Sequence, residues 1–98
     1  MNIKSEKSGK TLIVYIDGRI DSNTAGTFEE YLRNSMENIS ELILDFGKVE
    51  YISSAGLRVL LFAQKTMSRK GEMSLRNVNG EIMEEFELTC FTDILTFK

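Results

Sequence analysis

Three features of this sequence predict an α/β fold with a mixed sheet of four to five strands and helices mainly on one side. Short apolar runs rich in β-branched residues, TLIVYID and LILDF among them, are bounded by turn residues and have the length of buried strands. Between these runs lie stretches whose apolar residues recur three and four positions apart, as on one face of a helix. No proline, repeat or low-complexity linker interrupts the 98 residues. Strands followed by helices with short connections imply right-handed crossovers within one domain, residues 1–98.

Residues 1–7 can extend as an edge strand, with Ser8-Gly9-Lys10 turning into a second strand, Thr11 to Asp17, that Gly18 ends. This second strand is apolar on both faces, Leu12, Val14 and Ile16 against Ile13 and Tyr15, as in a central strand covered on both sides. Asp21, Ser22 and Asn23 compete to cap a first helix, whose Ala25, Phe28, Leu32, Met36 and Ile39 form a core-facing stripe. Leu42 to Phe46 reads as a buried strand closed by Asp45, Gly47 and Lys48, followed by a polar connection and a second short extended piece. From Ala55 the period changes to that of a helix that is apolar over most of its circumference, which Arg69-Lys70-Gly71 ends with cations and a glycine. Met73 to Val78 is a further strand. Asn79 caps a short third helix with Ile82, Phe86 and Thr89 inward, and Ile94 to Phe97 returns as a last extended piece.

Composition narrows the function. A net charge of −3 and an isoelectric point near 5.0 argue against binding a phosphate backbone, so no nucleic-acid partner is expected. With no histidine, neither a Ser-His nor a Cys-His pair can form, and one cysteine cannot build a disulfide framework or a tetrahedral zinc site. No P-loop or calcium-loop spacing occurs. Cys90 follows an apolar helix end and is expected to be buried; Glu81, Glu84, Glu85 and Glu87 read as a solvated helix face. Catalytic residues, metal ligands and a cofactor are therefore not expected. Met1 to Lys7 lacks the apolar core of a secretory signal, and no apolar run approaches the roughly 18 residues of a membrane span. These features imply a cytoplasmic protein without direct membrane contact.

The stretch around which the chain is organised is Leu42 to Ala63, centred on Ser53-Ser54-Ala55-Gly56. A serine just ahead of an apolar helix is a preferred N-cap, which gives Ser54 a structural role. A hydroxyl in such a loop is also exposed beside the free amides of a helix start, where a phosphate would be welcome. Capping serines far outnumber phosphoserines, so the residues alone favour the cap. Gly56 falls in the first turn, a poor place for glycine unless something approaches its backbone closely, as a docked partner would. Arg58 lies one turn beyond Ser54, either as a phosphate clamp or as a solubilising residue, and Asp21 reads from the residues alone as a helix cap.

DFGKVEYISSAGLRVLL resembles the signature of the STAS domain, the module of bacterial anti-sigma factor antagonists. Gly18-Arg19-Ile20-Asp21 with Thr24-Ala25 is similar to that family's G-x-(I/L)-D-x-x-(T/A) turn, and Leu88 to Phe97 to its closing segment, so the resemblance covers nearly the whole chain. It implies a STAS-like fold and a protein that docks, unphosphorylated, on an anti-sigma factor with serine kinase activity. The kinase would phosphorylate Ser54, two positions before the glycine, and a phosphatase would reset it. Asp21, Ser53, Ser54, Ala55, Gly56 and Arg58 would form the partner surface. Ser53 stands where family members regulated by phosphorylation commonly carry Asp. STAS-like domains also serve as subunits or tails of transport systems, so an unphosphorylated scaffold is the alternative that the resemblance implies.

Overall fold

Two apolar segments, Thr11–Ile20 (β2) and Glu41–Ile52 (β3), pair in parallel at the centre of the sheet, and everything else is arranged around that pair. The computed structural model describes Met1–Lys98. Asn2–Ser8 (β1) hydrogen-bonds antiparallel to β2 through a tight turn at Gly9 and Lys10, and Glu72–Arg76 (β4) pairs in parallel with β3, giving the order β1-β2-β3-β4. The crossovers are Ala25–Ser35 (α1) and Ser54–Ser68 (α2); Gly80–Leu88 (α3) and a 3-10 turn at Phe91–Asp93 follow. Phe97 bridges Leu75 in parallel, a fragment of fifth strand on the outer edge of β4. The expected mixed sheet of four to five strands is present. No helix is long and apolar enough to cross a membrane.

Alternation along the strands decides which face the helices cover. Leu12, Val14 and Ile16 on β2, Leu42, Leu44 and Phe46 on β3, and Met73 and Leu75 on β4 are buried on one face, against Phe28 and Leu32 of α1 and Leu57, Leu60 and Ala63 of α2. Phe86 of α3 packs its ring 6.2 Å from Phe46 and 5.7 Å from Phe97. The other face carries half-buried Ile13, Tyr15 and Ile43 and remains open. The expectation that β2 is covered on both sides is therefore corrected. Its second face is screened only by neighbouring polar side chains, chiefly a network around Asp45. That carboxylate accepts from Arg76 Nε (2.8 Å), Asn77 Nδ2 (3.0 Å) and the Gly47 amide (2.8 Å). Burial opposes its ionisation, but Arg76, the Gly47 amide and Asn77 more than offset that and hold the carboxyl below its ordinary pKa.

Several local expectations change. β3 is one strand of 12 residues, not two pieces with a polar connection; its register against β2 shifts near Phe46 to Lys48 and again near Glu50, as bulges allow. β2 likewise runs past Asp17 to Ile20, because Gly18 adopts φ +113° and lets the strand continue. β4 stops at Arg76, short of Val78, where Asn77 turns into the left-handed region. None of Asp21, Ser22 and Asn23 occupies the cap position of α1, which Thr24 holds without a side-chain cap bond. Met36 and Ile39 are buried as expected but lie beyond the helix end. Cys90 is exposed, not buried, in a left-handed conformation just after α3.

Candidate functional site

Parallel strands end together, so the carboxyl ends of β2 and β3 bring Arg19 opposite Tyr51 and Ile20 opposite Ile52. The chain leaves β3 through Ser53, whose extended backbone (φ −97°, ψ 176°) directs it into α2. The Ser53 amide donates to the Ile20 carbonyl (2.8 Å), tying the loop to the neighbouring strand. Its Oγ accepts from the Gly56 amide (3.4 Å) and its carbonyl from Leu57 (2.9 Å). Ser53 is thus the N-cap, and the capping role read for Ser54 falls one residue earlier. Ser54 is the first helical residue, exposed, and its hydroxyl is not used in holding the loop together. It stands among the first amides of α2, which have no intrahelical acceptors.

Gly56 is buried, and its neighbours belong to its own chain. An added Cβ would lie 2.7 Å from Ile20 Cγ2, 2.7 Å from Ile52 Cγ1 and 3.2 Å from the Ile20 carbonyl oxygen. The glycine lets α2 sit directly on the ends of β2 and β3. A close approach to the Gly56 backbone, the condition that makes glycine suitable here, is made by the sheet itself. Ala55 is half-buried beside it.

Asp21 directly follows Ile20 and so lies at the same edge. Its Oδ1 accepts from the amides of Asn23 (2.9 Å) and Thr24 (3.2 Å), and its carbonyl from Thr24 and Ala25. The Asn23 amide foremost, then Thr24 and nearby Arg19, lowers its pKa from the ordinary value. Thr24 Oγ1 closes the turn by donating to the Arg19 carbonyl at 2.7 Å. Asp21 is therefore engaged in shaping the turn, with Oδ2 3.7 Å from Arg19 Nε. Arg58 is exposed and borders a hollow on the outer face of α2 with Leu61, Phe62 and Lys65.

Arg19 and Tyr51 are absent from the sequence-based site. The guanidinium of Arg19 lies 4.3 Å from the centre of the Tyr51 ring, and Tyr51 remains 41% exposed beside the serine loop. Only the pairing register places them together, and no local pattern reveals it. No group of three or more Asp, Glu, Cys or His residues is arranged to hold a metal ion.

The sheet, its one covered face and this loop define a small α/β domain that exposes a hydroxyl at the carboxyl edge of its parallel strands. The chain belongs to the STAS domain family, whose model matches residues 2–98. It is 32% identical over 96 residues to BtrV of Bordetella bronchiseptica, provisionally named an anti-sigma factor antagonist, covering 96% of this chain and 83% of BtrV. An anti-sigma factor antagonist from Mycobacterium paratuberculosis superposes with a TM-score of 0.89 at 18% identity, over 98% of this chain and 83% of that one. The phosphorylated form of the Bacillus cell fate determinant SpoIIAA superposes with a TM-score of 0.75 at 13% identity, over 99% and 91%. At these identities the structural likenesses establish the fold.

Proposed function

We propose that this protein is an anti-sigma factor antagonist whose serine loop docks on an anti-sigma factor with serine kinase activity, and that phosphorylation of Ser54 ends the complex. The observation that carries this reading is the difference between the two serines. Ser53 is committed to the sheet and the helix cap, whereas Ser54 is exposed and unneeded for the loop's own bonds. The provisional name of BtrV supports the same role.

The mechanism follows from charge. A phosphoserine adds about −1.5 to −2 charges at neutral pH. At the first position of α2 these meet free amides and the positive end of the helix dipole, a placement worth roughly 0.3–1 kcal/mol in favour of the anion. The modified domain stays folded, and the cost falls on the complex, where a dianion must be desolvated within an interface. Release by a phosphatase restores binding. Asp21, Ser53, Ala55, Arg19 and Tyr51 frame the contact, and Gly56 supports it from beneath.

The test is phosphosite mapping after incubation with ATP and the anti-sigma kinase, joined to partner titration. Ser54→Ala should accept no phosphate and bind permanently; Ser54→Asp should bind poorly while keeping its far-ultraviolet spectrum. Phosphate on Ser53, or wild-type affinity in Ser54→Asp, would overturn the switch and favour a scaffold in a transport system.

A further inference from the structure

We infer that the outer face of α2, from Arg58 to Arg69, is a docking groove for an acidic amphipathic helix of a partner protein. Residues 51–71 contain four cations, Arg58, Lys65, Arg69 and Lys70, and no acid, in a chain whose net charge is −3. Arg58, Lys65 and Arg69 border a groove of about 520 Å³ floored by Leu61, Phe62 and Thr66. None of the three is ion-paired, since the chain's salt bridges use Arg19, Arg33, Arg76 and Lys98. A second hollow of about 250 Å³, lined also by Glu37, continues past Phe62 toward Arg33 and Lys70, so the uncompensated charge lies in the first groove. The Arg33 guanidinium, itself paired with Glu29 at 3.0 Å, sits 4.3 Å from the Phe62 ring centre and borders the apolar floor.

Cations along the walls and apolar side chains on the floor call for a ligand with the opposite pattern. A purely anionic surface would leave Leu61 and Phe62 unsatisfied, and a purely apolar one would strip water from three unpaired cations. A helix with leucines on one stripe and Asp or Glu beside it meets both demands. The groove runs for about 16 Å at 1.5 Å per residue, some three turns of such a helix. Its head, Arg58, lies one turn from Ser54, so a protein seated on the serine loop is placed to lay a helix along α2. The inference rests on the proposed function for the identity of the partner, but the groove's chemistry does not depend on Ser54.

The probe is a fluorescein-labelled, 15-residue Glu/Leu peptide designed as an amphipathic helix, with a scrambled peptide of the same composition and phosphatidylserine-containing vesicles as comparisons. The amphipathic peptide should bind about tenfold tighter than the scrambled one and weaken as salt is raised. The double variant Lys65→Glu, Arg69→Glu should lose about tenfold in affinity with an unchanged circular dichroism spectrum. Amide shifts in the wild type should centre on Leu61, Phe62 and Thr66. Equal binding of the two peptides, full binding by the charge-reversed variant, or shifts confined to another face would overturn the inference. So would cosedimentation with the vesicles in place of peptide binding, which points to a lipid surface. Self-association that the double variant abolishes would assign the groove to a second copy. Because the titration uses neither kinase nor ATP, its failure leaves the Ser54 mapping experiment intact.

Discussion

Replacing Gly56 with alanine sets two effects of known sign against each other. Alanine is the better helix former and should gain about 0.5–1 kcal/mol over glycine. Its Cβ, however, would sit 2.7 Å from Ile20 Cγ2 and Ile52 Cγ1, more than half an ångström inside ordinary contact. Both atoms are attached directly to the Cβ of a β-branched residue, so neither can swing away without changing a stiff χ1, and the Ile20 carbonyl at 3.2 Å blocks a simple shift of the helix. With two stiff contacts and a blocked helix shift, the overpacking cost falls in the upper part of its usual range, about 2–3 kcal/mol, leaving a net destabilisation of about 1–2 kcal/mol. For a chain of 98 residues that corresponds to a fall in melting temperature of about 5–15 °C. Thermal unfolding followed by circular dichroism reads it directly. A melting temperature equal to or above the wild type would refute the packing argument, and weakened partner binding with unchanged stability would show that the glycine instead serves a visitor.

Asp45→Ala strands Arg76, Asn77 and the Gly47 amide on the open face and should cost about 2–4 kcal/mol, read as a lower urea midpoint at constant m-value. The folded-state pKa of Asp45 lies below its unfolded value, so its contribution is present above about pH 4 and disappears as pH falls through the folded value. Wild-type stability should therefore decline in that acid range, and the decline should be smaller in Asp45→Asn; parallel profiles would remove Asp45 from the account. Ser53→Ala removes a cap whose bond is long at 3.4 Å, so its cost should fall near the low end, about 0.5–1 kcal/mol. Ser54→Ala should leave stability nearly unchanged, and a reversed order of the two variants would exchange their roles.

Local periodicity carried the sequence reading where structure is local. The change of period at Ala55 marks α2, and the stripe of Phe28 and Leu32 marks the core face of α1, because both reflect burial along a single element. The unbroken course of β3 is different in kind. It depends on Asp45 folding back to the Gly47 amide and on slips of register against β2, neither of which is written in residues 46–50 alone. The choice between Ser53 and Ser54 as cap turns on one backbone angle at the end of β3. Arg19 and Tyr51 meet only through parallel pairing across 32 positions, and Cys90 is exposed because the chain turns left-handed there, which its apolar flanks conceal. The site loop was legible; its floor, Ile20 and Ile52 beneath Gly56, was not.

The outer edge of β4 is covered by the last few residues of the chain: Leu75 donates to the Thr96 carbonyl and Lys98 donates back to Leu75, both at 2.9 Å. The opposite edge, β1, needs no such cover, because Lys4, Glu6 and Lys7 surround it with charge that repels an incoming strand. Trimming the tail would bare hydrogen-bonding groups beside apolar Met73 and Leu75, an invitation to strand addition between molecules. Colloidal behaviour is thus vested in a handful of residues at the outer edge of β4, and a shortened chain could keep its serine loop intact while precipitating from solution.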